Sequence, residues 1–318
     1  MCNAGGECKM PKNRVVIIAG PTASGKSSFA IDLALKLNGV IVNADSMQVY
    51  KDMPIISAVP TREDKEKAEH RLYEIYDPSF RGNVVDWLNL AIKEIRDIWS
   101  KGKLPLVVGG TGLYIENLMK GTTPIPATPD AIRQKVQKMI EEEGVVSVHG
   151  KLAEVDPKSG QKINTNDMTR IKRAYEVFLH TGEPMSVWQK KPLIQNLSEA
   201  NFFTIKLCPS TQELDEFSYA RFDKMVELGV IDEVERLYKR KLDPSLPAMK
   251  ALGVPELIEY FKGKTNLYLA VQNAKLHTRQ YAKRQRTWFK NRLPADFEYK
   301  KCYKGDFPDQ ILDILMKN

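Results

Sequence analysis

The stretch "AGPTASGKSSFA", residues 19–30, decides how the chain is read. It follows the apolar run "VVII" and precedes a segment with Phe29, Leu33 and Leu37 on one helical face. Gly20, four residues, then Gly25-Lys26-Ser27 is the spacing of a phosphate-binding loop between a strand and a helix. The glycines let backbone N–H groups turn inward. The helix N-terminus adds its dipole, and Lys26 adds a full positive charge. The Ser27 hydroxyl is placed to ligate Mg²⁺. The pattern is strong for phosphate and silent on which phosphate compound binds.

Three short β-branched runs stand out early: "RVVIIAG" (14–20), "GVIVNAD" (39–45) and "LPLVVGGTG" (104–112). Helical patterns at Ser27–Leu37 and Val85–Trp99 separate them. Strands alternating with helices predict a parallel α/β sheet, with ligands beyond the carboxyl ends of its strands. Lys26, Asp45 and Thr111 would then converge there. The Pro/Thr stretch "GTTPIPATPD" changes the character of the chain, and charge-rich helical patterns follow at Ala131–Glu143 and Asp167–His180. "ANFFTIKLCPS" (200–210) reads as a strand returning to the sheet. The expected fold is a P-loop NTPase-like α/β core over residues 12–121, a helical insertion over 122–199, and a return to the core over 200–318. The last part is mostly helical, with a long helix from Leu267 to about Phe289.

Composition narrows the function classes. No apolar run approaches the ~20 residues that span a bilayer. The opening "MCNAGGECKMPKNR" has no apolar h-region and is expected to be a short tail rather than a signal peptide. Cys2, Cys8, Cys208 and Cys302 form no Cys-x-x-Cys pair or Cys/His cluster, so neither zinc nor a disulfide framework is expected. The cytosol is the expected compartment. Net charge is +8, and residues 274–292 ("AKLHTRQYAKRQRTWFKNR") carry seven Lys or Arg and no acid. Lys275, Arg279, Lys283, Arg286 and Lys290 fall on one stripe, a geometry suited to a phosphate backbone. Tyr281 and Trp288, seven apart, share another face and read as core before base-stacking platforms.

An NTPase or kinase wants an acid after an apolar strand to hold magnesium. "VVGGTG" supplies none, and only Asp45 after "VIVNA" fits. Asp45 could hold magnesium through water or act as a general base. In "NADSMQVYKDM" (43–53), Asp45, Ser46 and Gln48 form a polar cluster at a strand end. A glutamine side chain can donate to and accept from an adenine edge together. The plainer reading is a polar turn closed by an Asx-type hydrogen bond.

"GPTASGKSS", "NADSMQVYKDM", "VVGGTGLYI", "NDMTRIKRAYEVFLHTGEP", "ARFDKMVELGVIDEV" and "TRQYAKRQRTWFK" occur in that order. Together they resemble the tRNA dimethylallyltransferase (tRNA isopentenyltransferase) family, from about Asn13 to Arg292. The resemblance implies transfer of a dimethylallyl group from dimethylallyl diphosphate to N6 of adenine 37 in the anticodon loop, with Mg²⁺. It implies that Gly20, Pro21, Thr22, Ala23, Ser24, Gly25, Lys26 and Ser27 hold the diphosphate of the donor. It makes Asp45 the base and puts Thr111 between donor and adenine, and Arg221 is a candidate clamp on the diphosphate. It assigns Asp45, Ser46, Met47, Gln48, Thr111, Arg133, Thr169, Arg170, Ile171, Lys172 and Arg173 to tRNA contact. Lys275, Arg279, Lys283 and Arg286 join them from the basic stripe. The insertion would act as a lid, and a monomer with tRNA as partner and no membrane attachment is expected. "KALGVPE" (250–256) departs from the Arg-Cys-Val-Gly-Tyr-Arg-Gln stretch of many members, and "YKDMPIISAVPT" lacks their Gly-Thr-Ala run. The rivals are an adenylate isopentenyltransferase acting on free AMP, ADP or ATP, a P-loop nucleotide or metabolite kinase, and a tRNA-binding protein without catalysis.

Overall fold

Parallel strands buried on both faces need unbroken apolar runs, and the chain supplies them at its centre. The computed structural model describes residues 11–317; Cys2, Cys8 and the start of the expected tail lie outside them. Two compact units are present. One joins the chain up to Met119 with the chain from Leu197 onward, and the other is Lys120–Asn196.

The first unit begins β1 (Arg14–Ala19), α1 (Lys26–Leu37), β2 (Gly39–Asn43), α2 (Pro54–Ser57), α3 (Arg62–Lys67) and β3 (His70–Arg71). It continues through α4 (Val84–Ser100), β4 (Leu104–Gly109) and α5 (Gly112–Lys120). The second unit holds α6 (Asp130–Glu143), α7 (Val145–Val155), α8 (Pro157–Lys162), α9 (Met168–Thr181) and α10 (Met185–Trp188). The chain returns to the first unit with β5 (Asn201–Leu207), α11 (Thr211–Glu227), α12 (Val230–Lys239), α13 (Val254–Phe261), α14 (Leu267–Arg292), β6 (Phe297–Tyr299) and α15 (Gln310–Lys317).

The sheet has six strands in the order β3-β2-β4-β1-β5-β6, and every pairing is parallel. Side chains of β1 alternate between two cores: Val15, Ile17 and Ala19 face one, Val16 and Ile18 the other. Two tryptophans of α4 anchor that helix to the sheet. Trp87 Nε1 donates to Asn43 O (2.7 Å) and Trp99 Nε1 to Arg14 O (2.9 Å). Helix starts follow side-chain caps: Asn83 with Asp86 opens α4, and Ser210 with Glu213 opens α11.

Register brings the loops together. Ala19 pairs with Gly109 and Asn43 with Val108, so the residues just beyond β1, β4 and β2 emerge side by side. The second unit has its own core, built on Val136, Val148, Leu152, Ile171 and Val177. Its stem is closed by reciprocal bonds, Thr122 N to Ile194 O (3.0 Å) and Ile194 N to Thr122 O (2.9 Å).

Candidate active site

The loop after β1 folds as its spacing predicts, with an added wall. Gly25 has φ +82, and a Cβ there would lie 2.5 Å from Tyr303 O, so only glycine fits. Tyr303 N donates to Ser24 O (3.0 Å), which sets the segment after β6 against the loop. A cavity of about 230 Å³ opens in front, lined by Ala23, Gly25, Lys26, Ser27, Ser28, Phe217 and Arg221. Arg221 of α11 is thus a cavity wall, not a surface arginine, and its Nη1 donates to Thr22 Oγ1 (3.2 Å). The Ser27 hydroxyl side is open to solvent on the same wall.

Charge is concentrated here. Burial pushes the Lys26 ammonium down to about 8; Asp45 opposes that shift and Arg221 adds to it. Burial likewise lowers Arg221, again against the pull of Asp45. Two desolvated cations facing a cavity, with a carboxylate in electrostatic reach, form a seat that an anion completes. Two backbone donors of the loop are already occupied, and one of them is Ser24 N, which donates to Pro21 O (3.3 Å). Thr22 N donates to Gln285 Oε1 (2.8 Å), so not every N–H of the loop turns toward the cavity.

Asp45 sits at the end of β2, half-buried, and is shaped by Asn43. Asn43 Oδ1 accepts from Asp45 N (2.8 Å), and its Nδ2 donates to Asp45 O (3.1 Å) and Leu72 O (3.0 Å). Asp45 Oδ1 accepts from Met47 N (2.9 Å), the Asx-type bond of the plainer reading. That bond fixes one carboxylate oxygen and leaves Oδ2 without a hydrogen bond among the described residues. Thr111 stands opposite. Its Oγ1 accepts from Ser46 N (2.9 Å) and donates to Ser46 Oγ (3.2 Å), while its N donates to Ala44 O (3.2 Å). A Cβ on Gly109 would lie 2.1 Å from Ala44 O, so the first glycine of "GGT" permits this approach.

Gln48 corrects an expectation. Its Nε2 donates to Ser57 O (3.1 Å) and Ala58 O (2.7 Å), so it cannot also donate to a base. Only its carbonyl oxygen is left to accept. Met47 packs against the main core from the same turn.

The match that settles the family lies wholly beyond the phosphate loop: the IPP transferase family model covers residues 48–292. The chain belongs to the IPP transferase family. It is 42% identical over 287 residues to the tRNA dimethylallyltransferase of Rhodospirillum centenum, covering 90% of this chain and 91% of that one. It is 40% identical over 310 residues to that of Zymomonas mobilis, covering 95% and 97%. The solved tRNA isopentenylpyrophosphate transferase of Bacillus halodurans is 33% identical, with a TM-score of 0.68 over 96% of this chain and 95% of that one. A eukaryotic dimethylallyltransferase acting on tRNA is 30% identical, with a TM-score of 0.73 over 87% of this chain and 70% of that chain.

The residues expected to touch RNA divide by position. In the helical unit of this IPP transferase, Thr169 and Arg170 are exposed, and Arg170 pairs with Asp167 (3.3 Å). Ile171 is wholly buried among Val136 and Val148, so its side chain packs the core and cannot meet RNA. Lys172 Nζ donates to Gln137 Oε1 (2.8 Å), and Arg173 Nη1 to Thr128 Oγ1 (2.8 Å). Arg133, Lys172 and Arg173 all stand within electrostatic reach of the buried Glu176, whose carboxyl burial pushes up.

On α14 the expected stripe is partly neutralised. Lys275 pairs with Asp223, Arg279 with Asp215 (2.7 Å), and Arg286 donates to Thr211 Oγ1 (2.9 Å). All three partners belong to α11, so acids missing from one helix sit on its neighbour. Lys283 and Lys290 are exposed and make no ion pair among the described residues.

Sequence reading missed Asn43 and Gln285. Tyr281, Gln285 and Trp288 fall four and three apart, one helical face, and the uncharged amide between two aromatics was the available signal. Tyr281 is half-buried beside Gln285, and burial, then Asp45, pushes its hydroxyl up to about 12. It stands within electrostatic reach of Asp45.

Proposed function

We propose that this IPP transferase moves a dimethylallyl group from dimethylallyl diphosphate to N6 of adenine 37 in the tRNA anticodon loop, releasing diphosphate. The observation that carries the reading is the cavity that Arg221 lines together with Ala23, Gly25, Lys26 and Ser27 of the loop, with Asp45 in electrostatic reach of both cations. The names of its relatives agree with it.

The exocyclic amine of adenine is a weak nucleophile because its lone pair is delocalised into the ring. Its nitrogen forms a bond to the allylic carbon while the carbon–oxygen bond to diphosphate breaks. The departing electron pair settles on the diphosphate, whose growing charge meets Lys26, Arg221 and the free N–H groups of the loop. The N6 proton passes to Asp45, whose Oδ2 is open to receive it. Thr111 holds Ser46 and thereby the turn that carries the base. Gln48 offers an acceptor, which suits an exocyclic amine.

Mg²⁺ fits the donor set in one manner. Among the described residues no group of three His, Cys, Asp or Glu could cage a metal. The Ser27 hydroxyl on the cavity wall suits a magnesium held mainly by phosphate oxygens and water, and such an ion would neutralise diphosphate charge. Arg133, Thr169, Arg170, Lys172 and Arg173 of the helical unit, with Lys283 and Arg286 of α14, are the proposed RNA contacts. We place the enzyme in the cytosol as a monomer; no described helix is long and apolar enough to cross a membrane.

Labelled dimethylallyl diphosphate, offered with undermodified tRNA or free AMP, tests the reading. Label on tRNA is the expected result. Label on AMP alone supports the adenylate reading, and brisk ATP cleavage without use of the five-carbon donor supports a kinase.

A further inference from the structure

We infer that Gln285 is a positioning residue for the transfer, holding the phosphate loop at a fixed spacing from the Asp45–Thr111 side and tying both to α14. The inference rests on the function proposed above.

Gln285 is 6% exposed, and both ends of its amide are bonded to backbone. Oε1 accepts from Thr22 N and Nε2 donates to Gly110 O, each at 2.8 Å. Thr22 belongs to the loop after β1 and Gly110 to the loop after β4, which are adjacent strands. One side chain therefore sets the gap between the two loops that frame the site. The fit is close: a Cβ on Gly110 would lie 2.4 Å from Gln285 Nε2. An apolar side chain could fill this space but would orphan two backbone groups, whereas an amide of this reach satisfies both.

The bridge continues in both directions. Thr22 Oγ1 accepts from Arg221 on the cavity wall. Gly110 leads into Thr111, which holds Ser46 beside Asp45. A short bonded path thus runs from the diphosphate seat to the base. Gln285 also sits between Lys283 and Arg286, two of the α14 cations proposed to meet RNA. A shift of α14 on RNA contact would move the amide, and with it the phosphate loop.

The test compares Gln285→Glu with the parent chain at about pH 8 and about pH 6, a window in which a buried carboxyl with a raised pKa titrates. Inorganic diphosphate with Mg²⁺ is the first probe, and prenyl transfer to tRNA the second. Glutamate keeps the size and the acceptor for Thr22. Ionised, it sets an acceptor against the Gly110 carbonyl; protonated, it donates as the amide does. The expected result is a loss of about tenfold in diphosphate affinity at the higher pH, recovered to within about threefold at the lower. The variant-to-parent ratio of kcat should follow the same trend, while tRNA Kd stays within about threefold. Gln285→Asn, whose shorter amide cannot span both loops, should lose affinity at both pH values without recovery. It carries the test if the glutamate variant fails to fold. Diphosphate affinity equal to the parent's in the folded variants, with no pH trend, overturns the inference. A parent that binds diphosphate but transfers no prenyl group overturns the proposed function, and the diphosphate arm still decides the role of Gln285. A parent that binds no diphosphate overturns both.

Discussion

The cations of this protein fall into two populations. Lys26 and Arg221 are half-buried in the wall of one cavity, and desolvation there lowers the pKa of each. The cations of α9 and α14 lie mostly at the surface, several of them beside acids or amides. Burial makes the first pair strong toward a single anion and costly without one. Exposure makes the second group individually weak and useful only in number. A basic sequence therefore says little until each charge is assigned to one population.

The largest effect that could break this comparison lies at the carboxylate beside the half-buried pair. Asp45→Asn should slow single-turnover transfer by about 10²–10⁴-fold with tRNA affinity nearly unchanged. A near-normal rate would remove Asp45 as the base.

Next comes the half-buried lysine of the cavity wall. Lys26→Met should lower donor use by about 10²–10³-fold. The sign for stability is opposite. A lysine pushed down to about 8 costs the folded state when protonated, so the ligand-free protein gains stability as pH rises from there toward 10.5. Removing the charge should therefore raise the ligand-free melting temperature by about 2–4 °C for each kcal/mol recovered. In the parent, donor affinity should fall as pH passes upward through about 8, where the free enzyme loses that charge. A lower melting temperature in Lys26→Met would show that Lys26 stabilises the empty site.

Surface cations should give smaller, salt-dependent effects. Arg133→Gln with Arg173→Gln should weaken tRNA binding by about tenfold and reduce the salt slope by about 0.7–0.9 for each phosphate no longer neutralised. An unchanged slope would mean that this cluster serves only Glu176. Smallest is the contrast within α14. Lys283→Ala should weaken tRNA binding about twofold to threefold, whereas Lys275→Ala, already paired with Asp223, should cost about 0.2–1 kcal/mol of stability and little RNA affinity.

The core was legible because β1, β2 and β4 are apolar runs that end where loops begin, and the aromatic start of β5 marks the return to the sheet. β3 and β6 span two and three residues, and their pairing comes from register rather than from a local pattern. Strand ends also revealed Asp45 and Thr111. What stayed hidden was set by distant segments. Gln48 is turned away from bidentate recognition by carbonyls nine and ten residues on. Ile171 lies within a basic motif, yet the helical period carries it into the core. Gln285 escaped because the uncharged face of α14 shows itself through Tyr281 and Trp288, and the partners of the amide between them lie in loops far away in sequence.

The reciprocal pair at Thr122 and Ile194 has an evolutionary reach. Where the chain enters the helical unit is also where it comes back, so that unit is a self-closed cassette. Such an attachment lets descendants lengthen, trim or trade the module without re-threading a single strand of the sheet.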